Sequence, residues 1–471
     1  MFKQEIGSYD EAVEYLLNIP RFTSKNSMKD TKAFLGRLGH PDEEMRIIHV
    51  AGTNGKGSVC AYLRYMLEEA GYAVCSFTSP HLVDIRERFL IHGEMVSKEK
   101  FLEAFLQVYE RIPWDVLESD DVFNETGKLP EGFYHPTFFE YLFFMAMLLF
   151  RDAKPDFCIL ETGLGGRLDA TNSVAKKELA VITRISLDHM EYLGDTTVKI
   201  AGEKAGIIAQ GAPVVYLDDE RDVSAVFDET AKKVGAKAYP VSKVDYALLK
   251  FQNKNIDFSL RTRYYKDISV TVHTAALYQM ENAALAVRAL EELDQGRTVT
   301  AEQIVKGLAK SFWPGRMEEL LPDVFVDGAH NEDGVRAFLE SVAADNWKGE
   351  RILLFSAVKD KQFDKMLGEI LMSRLFGRIF LVPIKTNRAT KVEILEETVQ
   401  RLLEREYPEK ECPEKDHSEK EKKPAHGIYG DVREAMEDLL SKKQKWQRIY
   451  VAGSLYLVGE VKANLGVLKD D

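Results

Sequence analysis

The residues with the most chemical content sit in one short stretch, Gly52-Thr53-Asn54-Gly55-Lys56-Gly57-Ser58. Successive backbone N–H groups in a glycine-rich loop, backed by a helix N-terminus, make a cradle for a phosphate, and Lys56 is placed to reach the outer phosphates of a nucleotide. The spacing departs from the usual nucleotide loop: Val50 stands where a first glycine is expected, and Gly57 separates Lys56 from the Ser58 hydroxyl. A plain glycine turn is the alternative, and the flanking elements weigh against it. A nucleotide loop works with Mg2+, so hard oxygen ligands are expected at other strand ends. Glu161 follows the apolar run 157–160, and Asp188-His189 follows another apolar run and a polar turn. Alone, the carboxylate is as readily a cap or an ion-pair partner, and the histidine is more often structural. Convergence with the loop on one sheet edge raises both, because open α/β sheets bind ligands at their carboxyl edge.

These residues need a strand–turn–helix frame. The run Ile47-Ile48-His49-Val50 reads as a buried strand leading into the loop, and Val59, Tyr62, Leu63, Met66, Leu67 and Ala70 then recur at helical spacing up to Gly71. Further strands are expected at 73–77, 157–160, 179–183 and 213–217, with amphipathic segments between them. This is the rhythm of an α/β fold with a mostly parallel sheet. A break at Asp294-Gln295-Gly296-Arg297 ends the helical pattern of 282–293. Apolar runs at 324–326, 352–355, 379–382 and 449–451 then repeat the rhythm as a smaller α/β unit. The expected division is 1–296 and 297–471, with 404–423 a charged, solvated loop.

The chain has 471 residues and a net charge of −13, which disfavours a nucleic-acid partner but leaves room for a locally positive cleft. The most apolar segment, FFEYLFFMAMLLF (138–150), is too short for a membrane span and carries Glu140, so a buried helix is expected. The four cysteines form no CxxC pair and fit a reducing cytosol rather than a disulfide framework or a zinc site.

Six blocks occur in order: GTNGKGS (52–58), TSPHLVDIRERFLIHG (78–93), ETGLGGRLDATN (161–172), SLDHMEYLGDTTVKIAGEKAGII (186–208), PGRMEEL (314–320) and DGAHN (327–331). Together they resemble the folylpolyglutamate synthase and dihydrofolate synthase family of the Mur-ligase superfamily. The resemblance implies a Mur-ligase-like P-loop ATPase domain and a smaller Rossmann-like C-terminal domain. It implies a ligase that spends ATP to join L-glutamate to a carboxylate of dihydropteroate or a reduced folate, by way of an acyl phosphate. By the same resemblance, Thr53, Asn54, Gly55, Lys56, Gly57 and Ser58 hold the triphosphate, while Asn282, Arg316, Asp327 and His330 complete the ATP site. Two Mg2+ ions fall to Ser79, Glu161 and His189. Lys204, fifteen residues after His189, matches a lysine that takes CO2 as a carbamate. The folate lies along His81, Leu82, Thr137, Phe138, Phe139, Glu140, Leu168, Asp169 and Ala170. Without the resemblance, Lys204 would be read as a surface lysine of a helix.

The chemistry agrees. A carboxylate is a poor electrophile, and phosphorylation activates it; phosphoryl transfer needs positioning and charge neutralisation more than a nucleophilic side chain. The anionic substrates lead to an expected positive cleft of Lys56, Arg167, Lys204 and Arg316 between domains that close on one another. The stretch 166–170 resembles the bifunctional form of the family more than the polyglutamylating form alone. A Mur-type ligase for a cell-wall nucleotide precursor is opposed by the SPHL and GLGGRLDATN blocks, and a non-catalytic nucleotide-binding scaffold by the intact Lys56, Glu161, His189 and Lys204. The insertion at 112–135 is expected to be a surface excursion, and the family's N-terminal folate contacts do not transfer to 23–30. A cytoplasmic monomer is the expected form.

Overall fold

In the computed structural model, residues 3–19, 26–117, 133–252, 254–407 and 423–466 are described. Most of the two segments expected as a surface excursion and a charged loop, and part of 23–30, lie outside these residues.

Strand β1 (Ile47–Ala51) is apolar except for His49 and buried along its whole length, the pattern of a parallel strand covered on both faces. Around it, β2 (Val74–Phe77), β5 (Phe157–Glu161), β6 (Leu179–Ile182), β7 (Val214–Leu217) and β8 (Ala238–Val241) run parallel in the order β2-β5-β1-β6-β7-β8. The antiparallel strands β3 (Phe89–Ile91) and β4 (Glu94–Met95) extend the β2 edge. Side chains alternate between two cores. Ile47, Cys75, Cys158 and Leu160 face helices Tyr9–Asn18, Lys98–Tyr109 and Phe138–Ala153. Ile48, Val50, Ile159 and Val181 face helices Lys56–Glu69, Gln279–Asp294 and Ala301–Lys310. Helix Phe138–Ala153 is buried over most of its length, and its first turn is fixed by a capping box between Thr137 and Glu140. No helix among the described residues is long and apolar enough to cross a membrane.

A small antiparallel sheet of β9 (Tyr246–Gln252), β10 (Asn255–Leu260) and β11 (Ile268–Val272) closes over the second core. The helix Ala301–Lys310 also joins that core through Ile304 and Leu308, and Gly307 meets the Met66 backbone so closely that a Cβ would sit 2.7 Å from Met66 Cα. The core-sharing unit therefore runs on past residue 296 to Lys310, and the chain crosses to the next sheet over 311–317.

That sheet has the order β12-β13-β17-β14-β15-β16, from β12 (Glu318–Leu321), β13 (Val324–Val326), β14 (Glu350–Phe355), β15 (Arg378–Leu381), β16 (Ala425–Ile428) and β17 (Gln447–Ala452). All pairings except β12 with β13 are parallel, and helices cover both faces.

Candidate active site

The loops after β1, β5 and β6 face those after β13, β14 and β17 across a cavity of about 820 Å³. Every site residue singled out in the sequence lines it except Leu82. Leu82 lies against the core of the second sheet, beside Val458, and its carbonyl occupies the place a side chain at Gly459 would take. An apolar side chain next to an apolar seat stays out of the cleft.

At one end, the loop 52–58 leads into helix Lys56–Glu69 with Gly55 in the left-handed region at φ 94° and no side-chain cap. A Cβ at Gly55 would lie 2.3 Å from Asn282 Oδ1, and one at Gly57 2.5 Å from the Trp313 indole, so both positions need glycine. Lys56 Nζ donates to the carbonyls of Gly52 at 3.1 Å and Thr53 at 3.2 Å and stands 3.9 Å from Glu161 Oε1. Lys204 is buried and donates to the same Gly52 carbonyl at 2.7 Å. Burial, reinforced by the charge of Lys56, pulls its pKa down to about 7. The helix 197–205 therefore turns this lysine inward, against the surface position that its local sequence suggests.

Glu161 ends β5 and is buried, accepting from the Ser79 N–H at 3.0 Å. Burial raises its carboxyl above the ordinary range, against the pull of Lys56. His189 has a pKa lowered to about 4 by burial, despite Asp188 beside it, which leaves a neutral ring with a lone pair to offer. Among the described residues, no three His, Cys, Asp or Glu side chains gather as a metal cage. Glu161 offers the hard carboxylate oxygen that Mg2+ takes, a cation that completes its shell with water and substrate phosphates.

The second sheet reaches in with side chains. Asp327 accepts from Tyr278 Oη at 2.6 Å, Met317 N at 2.9 Å and Ala329 N at 2.8 Å, and burial raises its carboxyl against the pull of Arg316. Asp188, after β6, is held from across the cleft by Lys361 Nζ, by Asn331 Nδ2 at 3.3 Å and by His330 at 3.6 Å. Burial alone would raise Asp188, but His330, Lys361 and His189 together hold it well below the usual carboxylate range. Asn54 Nδ2 bridges in the same way to Asn331 at 3.1 Å and Asp333 at 2.7 Å.

At the far end, Phe138, Phe139, Leu168 and Ala170 supply apolar wall, and the Phe139 ring fills the place a side chain at Gly163 would take. His81 Nδ1 accepts from Arg88 Nε at 2.9 Å. Glu140 borders the cavity, but its oxygens already serve Thr137, Asn26 at 2.7 Å and Thr31 at 3.2 Å, which makes it an anchor of the wall. Asp169 accepts from Leu164 N and from Thr171.

Lys56, Arg167, Lys204 and Arg316 do share this cavity, yet it is not positive by itself: eight Lys and Arg side chains face eight carboxylates in its lining. Lys361 has no motif around it, and Arg184 and Asp333 lie just outside the 186–208 and 327–331 blocks, so none of the three is legible as a site residue. Arg184 pairs with Glu281 and Asp219, and only the meeting of the two sheets brings Lys361 to Asp188.

Residues 134–290 match the model of the Mur ligase middle domain. The chain is 36% identical over 374 residues to the dihydrofolate synthase/folylpolyglutamate synthase of Bacillus subtilis, covering 77% of this chain and 83% of that one. It is 29% identical to the dihydrofolate synthetase of Saccharomyces cerevisiae, over 91% and 95% of the two chains. The structure is similar to that of Mycobacterium tuberculosis folylpolyglutamate synthase complexed with ADP, with a TM-score of 0.83, 25% identity and 98% of each chain covered.

Proposed function

The chain belongs to the folylpolyglutamate synthase and dihydrofolate synthase family of ATP-dependent ligases, and we propose that it joins L-glutamate to both dihydropteroate and reduced folates. The observation that carries this reading is one cavity with a phosphate loop at one end, an apolar wall with Asp169 at the other, and Arg316, Asp327 and His330 facing the loop.

In this reading Thr53, Asn54, Gly55, Gly57 and Ser58 cradle the triphosphate of ATP, and Asn282, Arg316, Asp327 and His330 hold the rest of the nucleotide. Lys56 leaves the loop carbonyls for the γ-phosphate and offsets the charge that spreads over it in transfer. The phosphoryl group passes to the substrate carboxylate and ADP departs. The amino group of glutamate then attacks the acyl carbon, the C–O bond to phosphate breaks, and phosphate and a proton are released. Ser79, Glu161 and His189 would hold Mg2+, which when bound would supply the charge neutralisation on the phosphates that the balanced lining lacks. The neutral amine of Lys204 adds to CO2 and loses a proton, and the carbamate replaces a cation with an anionic oxygen donor. Asp169, Phe138, Phe139, Leu168, Ala170 and His81 border the pterin-bearing substrate, with Thr137 and Glu140 shaping the wall. The unit that runs to Lys310 binds ATP and the pterin-bearing substrate, the unit from Glu318 onward closes over the nucleotide, and the protein works as a cytoplasmic monomer.

Phosphate release from MgATP with L-glutamate tests this with two acceptors. Turnover with 7,8-dihydropteroate and with tetrahydrofolate is expected. Turnover with tetrahydrofolate alone reduces the enzyme to polyglutamylation, and silence with both, despite ATP binding, overturns the folate assignment.

A further inference from the structure

We infer that His49 is a positioning residue for the folate end of the site, acting through Thr171 on Asp169. The inference rests on the reading that Asp169 faces the pterin-bearing substrate. His49 lies on β1, three residues before the phosphate loop, and is fully buried. It shares a face of the sheet with Ile47 and Ala51, which enter apolar cores.

Its Nε2 stands 2.8 Å from Thr171 Oγ1, and that oxygen stands 2.6 Å from Asp169 Oδ1. The Thr171 N–H adds a bond to the same carboxylate oxygen at 3.1 Å. An ionised carboxylate only accepts, so the Thr171 hydroxyl proton points at Asp169 and its oxygen accepts from His49 Nε2–H. This chain of bonds fixes the imidazole as the Nε2–H tautomer. Burial keeps the ring neutral, and the nearby charge of Lys177 acts in the same direction. The other nitrogen, Nδ1, is buried with no hydrogen-bond partner among the described residues. A nitrogen left bare in a core is a penalty that an apolar side chain of similar size avoids. The donor at Nε2 is what the imidazole provides in return. It fixes the rotamer of a carboxylate that borders the cavity, from a strand that also carries the ATP loop.

The test uses the full-length enzyme with His49→Leu, Thr171→Val, the double variant, His49→Gln and Asp169→Asn. KM is measured for 7,8-dihydropteroate, MgATP and glutamate, and a urea midpoint is taken for each variant. Loss of one hydrogen bond in the relay is expected to raise the dihydropteroate KM about tenfold in His49→Leu and in Thr171→Val. The MgATP KM is expected to stay put, and the double variant to be no worse than either single one. His49→Gln, with an amide N–H at comparable reach, is expected to recover most of the loss. If all three KM values move together, or only the urea midpoint moves, His49 is a packing residue and the inference fails. If Asp169→Asn raises the dihydropteroate KM and the relay variants do not, the relay alone falls. If Asp169→Asn changes nothing, the folate reading of Asp169 falls and the relay with it. Should His49→Leu not fold, Thr171→Val and His49→Gln carry the same comparison.

Discussion

Where β1 ends, the backbone shapes the cavity: Gly55 and Gly57 leave room where a side chain would clash, the Thr53 and Asn54 N–H groups turn to the Arg184 carbonyl, and two lysines rest on one carbonyl, that of Gly52. Where β13, β14 and β17 end, side chains do the reaching, with Asp327 tied down by three donors and Lys361 and Asn331 crossing to Asp188. Both sheets are mostly parallel and meet the cavity with the same edge. The difference is one of timing. In the proposed reaction the glycine loop is in place before the ligand comes, whereas the side-chain contacts form only while the two sheets are together, so phosphate affinity belongs to the first sheet and commitment to reaction to their approach.

The comparison breaks most plainly at the cradle. Lys56→Ala is expected to cost about a thousandfold in kcat, since it removes charge stabilisation aimed at the transferring phosphate; single-turnover phosphate release measures it, and near-normal turnover would move the chemistry elsewhere. Lys204→Ala is expected to lose about a hundredfold, with part of the activity restored by formate or acetate standing in for the carbamate. Full activity without rescue would remove the carbamate from the mechanism. Across the cleft, Lys361→Met leaves Asp188 buried without its cation, and about tenfold in kcat/KM for MgATP is expected to go, with a lower urea midpoint. An equal loss in ADP affinity would place Lys361 in ground-state binding rather than closure.

The pH dependence sharpens the same contrast. Lys204 lies at about 7 in the fold, well below an ordinary lysine. The neutral amine that the proposed carbamate requires is therefore scarce at about pH 6 and abundant at about pH 8, so bicarbonate is expected to restore MgATP turnover to freshly decarbonated enzyme only at the higher value. The uncarbamylated fold also binds fewer protons here than the unfolded chain does, so its stability is expected to rise with pH from about 7 toward the usual lysine range. The smallest effect belongs to Arg167→Ala: this half-exposed side chain pairs with Glu203 at the rim, and a change of no more than about threefold in any KM is expected.

Strands β1, β2, β5, β6 and β7 of the first sheet are legible because each is an apolar run, and because strand, glycine loop and helix follow one another between 47 and 69 with apolar residues at helical spacing; β3 and β8 escape that reading. The sheet of β9, β10 and β11 is not legible in the sequence: Leu248 and Leu249 are adjacent and both exposed, so β9 shows no clean alternation. β4 is two residues long, and β16, Ala-His-Gly-Ile, has little apolar content to mark it. The helix 301–310 looks like the start of the second unit because a turn precedes it, but its apolar stripe packs backward on helix Lys56–Glu69. Within the site, a role that depends on one loop could be read, as at Lys56, whereas Lys361 takes its meaning from a residue 173 positions away. Glu140, expected beside the folate, spends its carboxylate on its own wall.

One contact described above gives the molecule an optical handle. Trp313 stands on the connector between the sheets with its indole over Gly57, at the mouth of the nucleotide cradle. The other three tryptophans lie away from that loop: Trp114 packs in the core of the first sheet, and Trp347 and Trp446 line a separate hollow beside the second. In the proposed reaction the arrival of a triphosphate beside Gly57 therefore alters the polarity around a single tryptophan. In a background where the other three are phenylalanine, emission at 313 reports nucleotide entry on the stopped-flow timescale without any added dye.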